Sequence, residues 1–257
     1  MGLFGKMFEK KVCSICGGEI GMLGNRKLDD GNMCKKCAAK LSPFFTGRRR
    51  SSVEDIKAQL EYREANKAEV EAFNATLTLG ESTKILIDED NKKFMVTSAR
   101  NIREANPDVI EFSKVTGVDI DIDEDMDEET YTDNEGNSQS YNPKKYTFSY
   151  DFNVVIRVNN PYFDEIKFQL NPSGVTINEG NPVPSMMKPN PEYNQEYRQY
   201  KEMCDEIKAT LTSARREARE SAAAANAPRQ AVVCKCCGAT TTPDVNGTCE
   251  FCGGAAV

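Results

Sequence analysis

The 257-residue sequence contains no histidine and no tryptophan. Without histidine there is no Ser-His or Cys-His pair, and a general base working at neutral pH has to be a perturbed carboxylate, lysine or cysteine. The expectation is therefore a protein that is not an enzyme. No apolar run reaches the length a membrane span requires. The first eleven residues, MGLFGKMFEKK, lack the long apolar stretch of a secretory signal.

What the chain does have is cysteine, ten in all. Cys13-Ser-Ile-Cys16 is followed after seventeen residues by Cys34-Lys-Lys-Cys37. In a chain without a secretory signal such pairs read as metal ligands rather than disulfides, which places the protein in the reducing cytoplasm. A CxxC turn puts two thiolates on one side of a tight loop, and Gly17 and Gly18 let the backbone turn beneath the metal. Arg26 to Gly31 reads as a short strand ending in an Asp-Gly turn that returns the chain to Cys34. Cys13, Cys16, Cys34 and Cys37 would then close a tetrahedral shell around Zn2+.

At the other end, Cys234/Cys237 and Cys249/Cys252 have the same spacing, with Gly238 and Gly253 after each second cysteine. Cys236 is a spare that could replace Cys234 or Cys237 as ligand. Both sites offer four sulfurs, whereas a catalytic zinc keeps one position open, so two structural Zn2+ ions are expected.

The segment KVCSICGGEIG…RKLDDGNMCKKCAAKLSPFF, continuing into RRRSSVEDIKAQLEYRE, resembles the N-terminal four-cysteine domain of an uncharacterised family of bacterial proteins described as zinc-binding. The resemblance covers about the first 65 residues and implies Cys13, Cys16, Cys34 and Cys37 as ligands. The C-terminal CKCCGATTTPDVNGTCEFCGG resembles the short zinc ribbons at the ends of bacterial proteins.

Charge is unevenly spread. Residues 1–50 carry eleven Lys/Arg against four Asp/Glu, while the whole chain is at −7. A four-thiolate zinc site removes about two charges from that basic module, which leaves it able to meet an anionic partner. The run Asp119 to Glu129 holds eight carboxylates in eleven residues and reads as a solvated surface, or as an internal partner for the basic module. Leu3, Phe4, Met7 and Phe8 mark one face of a short segment that either frays, packs on the first module or touches a membrane surface.

Between the clusters, Ser51 or Ser52 with Glu54 or Asp55 forms a capping box for a helix whose apolar face holds Val53, Ile56 and Leu60 and continues through Val70 and Phe73. Ile85–Ile87 and Phe94–Val96 flank a turn at Asp88–Lys92, which predicts a hairpin. Val118, Ile120 and Ile122 alternate with aspartates. Tyr146, Phe148, Tyr150, Phe152, Val154, Ile156 and Val158 alternate with mostly polar residues, the pattern of a strand buried on one face. At roughly 3.3 Å per residue it would outrun a small domain, so it should bend or pass between two sheets. Ile166, Phe168 and Leu170 close the series. After a proline-rich loop from Pro172 to Pro191, Tyr193, Tyr197, Tyr200, Cys204, Ile207, Leu211, Ala214 and Ala218 step by four and three, one stripe of a long helix in which Cys204 is a core residue.

A sheet followed by one amphipathic helix resembles the element order of pleckstrin-homology-like domains. Where lipid-binding members carry basic residues near the first hairpin, this chain has Asp88-Glu89-Asp90-Asn91-Lys92-Lys93. The expected organisation is an α+β chain: a four-cysteine module over 1–47, a helical connector over 48–74, an antiparallel β domain with its helix over 75–220, a linker over 221–233 and a zinc ribbon over 234–257. The expected role is a cytoplasmic adaptor for protein association or for peripheral membrane association, with no small-molecule substrate implied. Two alternatives stand beside it. Arg26, Lys27, Lys35, Lys36 and Arg48–Arg50 could contact nucleic-acid phosphates, or zinc-bound thiolates with Cys236 beside them could sense oxidants.

Overall fold

A computed structural model describes residues 11–225, 230–244 and 247–256. The expectation for Leu3, Phe4, Met7 and Phe8 lies outside the described residues. The chain forms two compact units, Met1–Arg215 and Arg216–Val257. It mixes helix and sheet, and among the described residues no helix is long and apolar enough to cross a membrane.

The first unit begins with two miniature hairpins. Strand β1 (Lys11–Val12) pairs with β2 (Glu19–Ile20), and β3 (Arg26–Lys27) pairs with β4 (Asn32–Met33). A single helical turn, α1 (Lys35–Ala38), follows. The core under them is Cys13, Ile20, Leu28, Met33, Cys37, Leu41 and Ile56. A core this small, with two cysteines among its members, needs a staple.

Helix α2 (Val53–Ala72) starts at Ser52 in a capping box: the Asp55 N–H donates to Ser52 Oγ (3.1 Å), and the Ser52 N–H to Asp55 Oδ2 (2.9 Å). Asp30 Oδ1 accepts the Val53 N–H at 2.7 Å, tying the β3–β4 loop to the helix start. The hidden face of α2 is Ile56, Gln59, Arg63, Asn66 and Val70, a helical stripe whose centre is polar. Arg63 donates to Asp108 Oδ1 (2.7 Å), to the Lys40 carbonyl (3.3 Å) and to the Asn106 carbonyl. Ser42 Oγ donates to Asp108 Oδ2 at 2.8 Å. Asn66 bridges to Asn106 Oδ1 and the Pro107 carbonyl, and accepts the Val109 N–H. This network fastens the segment after the first cysteine cluster to the segment that enters the β domain.

That domain contains two open antiparallel sheets. The first has the order β5 (Leu77–Leu79), β6 (Lys84–Asp88), β7 (Lys93–Thr97), β8 (Ile110–Glu111), with the short helix α3 (Ile102–Ala105) between its last two strands. The expected hairpin is present as β6 and β7, with Lys92 in the left-handed region at the turn. In the second, β10 (Ser138–Val158) is central, with β9 (Val115–Thr132) along one edge and β11 (Glu165–Gln169) and β12 (Val175–Thr176) along the other.

The alternation around Tyr146–Val158 does form a strand, and Phe148, Tyr150, Phe152, Val154, Ile156 and Val158 are buried. The strand is longer than the alternation alone, Ser138–Val158. Its outer end pairs with β9 in an exposed ribbon, with register shifts between Ser140 and Lys145 and at Val158. The acidic run belongs to that ribbon. Val118 is buried and Ile120 and Ile122 pack against the core, but Glu124, Met126 and Glu128 replace them farther along the same face as the strand leaves the core.

Helix α4 (Gln195–Ala225) lies across the inner faces, and Tyr197, Tyr200, Cys204, Ile207 and Leu211 join one core with both sheets. Tyr197 meets Tyr150 and Phe152 edge-on, with ring centroids 5.0 and 5.1 Å apart. Tyr193 does not belong to this stripe. Asn194 Oδ1 accepts the Tyr197 N–H (3.0 Å) and starts the helix after it, leaving Tyr193 83 % exposed in a 3₁₀ turn. The side chains of Ala214 and Ala218 lie outside the described residues. The segment expected as linker, 221–233, includes the end of α4 and β13 (Val232–Val233), which pairs with β14 (Thr240–Thr241) in the second unit.

Candidate metal centres

Three of the four CxxC pairs share one backbone design. At Cys13, Cys234 and Cys249 the cysteine N–H donates to the carbonyl five residues on, at 2.8, 2.9 and 2.8 Å. The carbonyl of the same cysteine accepts from the glycine four residues on, Gly17, Gly238 or Gly253, at 2.8 Å each. Those glycines have φ of +72°, +71° and +68°, a conformation L-residues disfavour. The turn directs both cysteine side chains and several N–H groups to one side of the loop. The fourth pair is built otherwise: Cys34 caps α1, and its sulfur accepts the Cys37 N–H at 3.4 Å. Cys13 Sγ accepts the Cys34 N–H at 3.3 Å, linking the two halves.

The sequence-predicted ligands are brought together in both places. The sulfurs of Cys13, Cys16, Cys34 and Cys37 lie within 4.8 Å of one another, and so do those of Cys234, Cys237, Cys249 and Cys252. Individual separations are 3.9 Å for Cys16–Cys34, 3.7 Å for Cys234–Cys252 and 3.8 Å for Cys237–Cys249. A tetrahedron with a metal–sulfur distance of about 2.3 Å has edges of about 3.8 Å, whereas a disulfide would need about 2.05 Å. Each cluster could hold a metal ion.

The electrostatics agree with that reading. Burial pushes the Cys13 thiol up, but the N–H groups of Cys16, Cys34 and Ile15 more than offset it and hold it at about 6. Burial and the surrounding Cys16, Cys34 and Cys13 sulfurs push Cys37 far up. In the second cluster burial raises Cys249, and the Cys252 and Phe251 N–H groups bring it down to about 6. For Cys252 the Gly254 N–H favours the thiolate, but the Cys237, Cys234 and Cys249 sulfurs outweigh it and lift the group to about 12. Without a cation, each cluster thus favours the thiolate at some of its cysteines, Cys13 in the first and Cys234 and Cys249 in the second, and resists it at others, Cys37 in the first and Cys237 and Cys252 in the second. A divalent ion removes that repulsion and displaces the remaining protons.

Cys236 stands outside the second cluster. It is exposed, and its sulfur lies 3.7 Å from the Ala255 carbonyl. Of the three cysteines between which the sequence left the choice open, Cys234 and Cys237 are the two whose sulfurs converge with those of Cys249 and Cys252. Cys204 is fully buried in α4 and raised to about 12 by burial and by Asp205, the state of a core thiol. The polar clamp of Ser42, Arg63, Asn66 and Asp108 was missed by sequence reasoning. Its one visible sign was the polar residues Gln59, Arg63 and Asn66 at helical spacing on the face that also carries Ile56 and Val70.

A family model, "Domain of unknown function (DUF4428)", matches residues 11–59. That span holds the first cysteine cluster and the opening turns of α2. No curated protein and no solved structure matches the chain.

Proposed function

We propose that this chain is a non-enzymatic adaptor of the cytoplasm in which two Zn2+ ions staple small modules that precede and follow an antiparallel β domain in the sequence. The modules and that domain present surfaces for association with a protein or with a membrane. The observation that carries this reading is the sulfur geometry. In both clusters four cysteine sulfurs approach the edge lengths of a zinc tetrahedron, so all four positions of the ion are supplied by protein. Soft thiolates select Zn2+ over the harder divalent cations.

We read the middle region as pleckstrin-homology-like on its element order, two antiparallel sheets sharing one core with a long helix that follows them. As that likeness concerns architecture alone, it brings no ligand with it. Elemental analysis of the purified chain tests the reading: two zinc per chain are expected, and one or none removes the architecture on which the adaptor role rests.

A further inference from the structure

Gly21 to Gly24 form a turn closed by the Gly24 N–H on the Gly21 carbonyl at 2.8 Å. Its two central residues are Met22 and Leu23, 90 % and 84 % exposed. Such positions ordinarily hold Gly, Asn, Asp or Pro, and the core of the module is complete without these two side chains. A pair of large apolar residues held in water at a turn is a local inconsistency of the kind that marks function.

Basic residues lie on the strands that lead into and out of the turn. Lys11 faces Ile20 across the β1–β2 pair, immediately before it. Arg26 and Lys27 follow it as β3, and the 3₁₀ turn Gly47–Arg50 brings Arg48 against that strand, where its Nη1 donates to the Lys27 carbonyl at 2.6 Å. Arg26, Lys27, Arg48 and Arg49 line a groove of about 630 Å3 together with Asn25, Leu28 and Asp29. Among the described residues none of these four cations has a carboxylate ion pair. Burial and the crowding of Arg49 and Arg26 hold the Arg48 guanidinium below its ordinary value.

We propose that this turn and groove are a docking face for an anionic bilayer. Met22 and Leu23 enter the boundary between headgroups and acyl chains, while Lys11, Arg26, Lys27, Arg48 and Arg49 meet lipid phosphates. The proposal rests on the adaptor reading above and names its membrane-facing surface. A nucleic acid offers nothing to the Met22–Leu23 pair, and the groove lining contains no aromatic side chain on which a base could stack.

The test is co-sedimentation of the zinc-loaded full chain with vesicles of phosphatidylcholine alone and of phosphatidylcholine with phosphatidylglycerol, at low and high salt. Binding is expected only to the anionic vesicles, and it should weaken as salt rises. Each cation near the surface is worth about fivefold, so Lys27→Gln with Arg49→Gln, both at exposed positions, should weaken binding about 30-fold. Met22→Ser with Leu23→Ser should weaken it about tenfold without changing zinc content.

The parallel variant Phe4→Ser with Phe8→Ser separates the N-terminal segment from the turn; apolar dependence confined to that variant overturns the proposal. So does equal binding to neutral vesicles, binding to duplex DNA without vesicle binding, or a Met22/Leu23 variant that alters only self-association. Loss of vesicle binding with two zinc retained defeats this inference alone, whereas fewer than two zinc defeats the adaptor reading beneath it.

Discussion

Replacing Arg63 by Met tests whether α2 is a rigid clamp within the first unit. The substitution keeps the aliphatic stem and removes the charge. Arg63 and Asp108 side chains are 7 % and 0 % exposed and 2.7 Å apart, so their interaction is not screened as a surface pair would be. Without the guanidinium, Asp108 keeps the Ser42 hydroxyl and its own backbone N–H but no cation, and the Lys40 and Asn106 carbonyls lose a donor. Breaking one side of a buried ion pair costs about 3–5 kcal/mol. For a unit of this size each kcal/mol moves the melting midpoint by about 2–4 °C, so a fall of about 6–20 °C is expected by circular dichroism.

Asp108→Asn in the Arg63→Met background should recover part of the loss, with a coupling of about 1–3 kcal/mol in the double-mutant cycle. The pH dependence has a definite sign. Burial already pushes the Asp108 carboxyl up against the pull of Arg63 and Ser42, and losing Arg63 raises it further. A carboxyl whose folded value lies above its unfolded value of about 3.9 costs stability at neutral pH. That cost shrinks as pH falls through the folded value and is gone below the unfolded one. The gap between variant and parent should therefore narrow as the pH is lowered from neutrality. A variant that melts within about 2 °C of the parent, or a gap that does not respond to pH, would refute the clamp.

Three further substitutions probe other parts of the molecule. Cys236→Ser should leave the zinc content unchanged, since that sulfur stands apart from the four that converge; a drop by one ion would return Cys236 to the ligand set. Gly31→Ala should destabilise the first module by about 1–3 kcal/mol, because a Cβ there would lie 2.6 Å from Ser14 Oγ and 2.7 Å from Val53 Cγ2; urea unfolding measures it. Cys204→Ser places a hydroxyl in a fully buried stripe and should cost about 1–3 kcal/mol by the same assay, with both metals retained.

The parts of this fold that were legible in the sequence are those set by local pattern. The CxxC spacings located both clusters, the serine and aspartate at positions 52 and 55 gave the start of α2, and period-two alternation gave the inner half of β10. What was not legible depends on partners distant in the chain. The Asp119–Glu129 run reads as a solvated surface and its carboxylates are almost all exposed, but that its outer part is also a strand follows from the pairing edge that β10 supplies along it. The Ser42–Asp108–Arg63 network joins residues 45 and 66 positions apart, and no local period signals it. Tyr193 fits the helical spacing, but Asn194 begins the helix one residue too late to include it. Met22 and Leu23 are ordinary apolar residues in the sequence; the turn that exposes them is visible only in the structure.

The central claim is that the two clusters are separate, closed, structural zinc sites. Elemental analysis of the parent chain beside Cys37→Ser and Cys249→Ser tests it most directly. The account predicts two zinc ions per chain in the parent and one in each variant, each substitution emptying its own cluster alone. A parent chain with fewer than two zinc ions, or a single substitution that strips both, would contradict it.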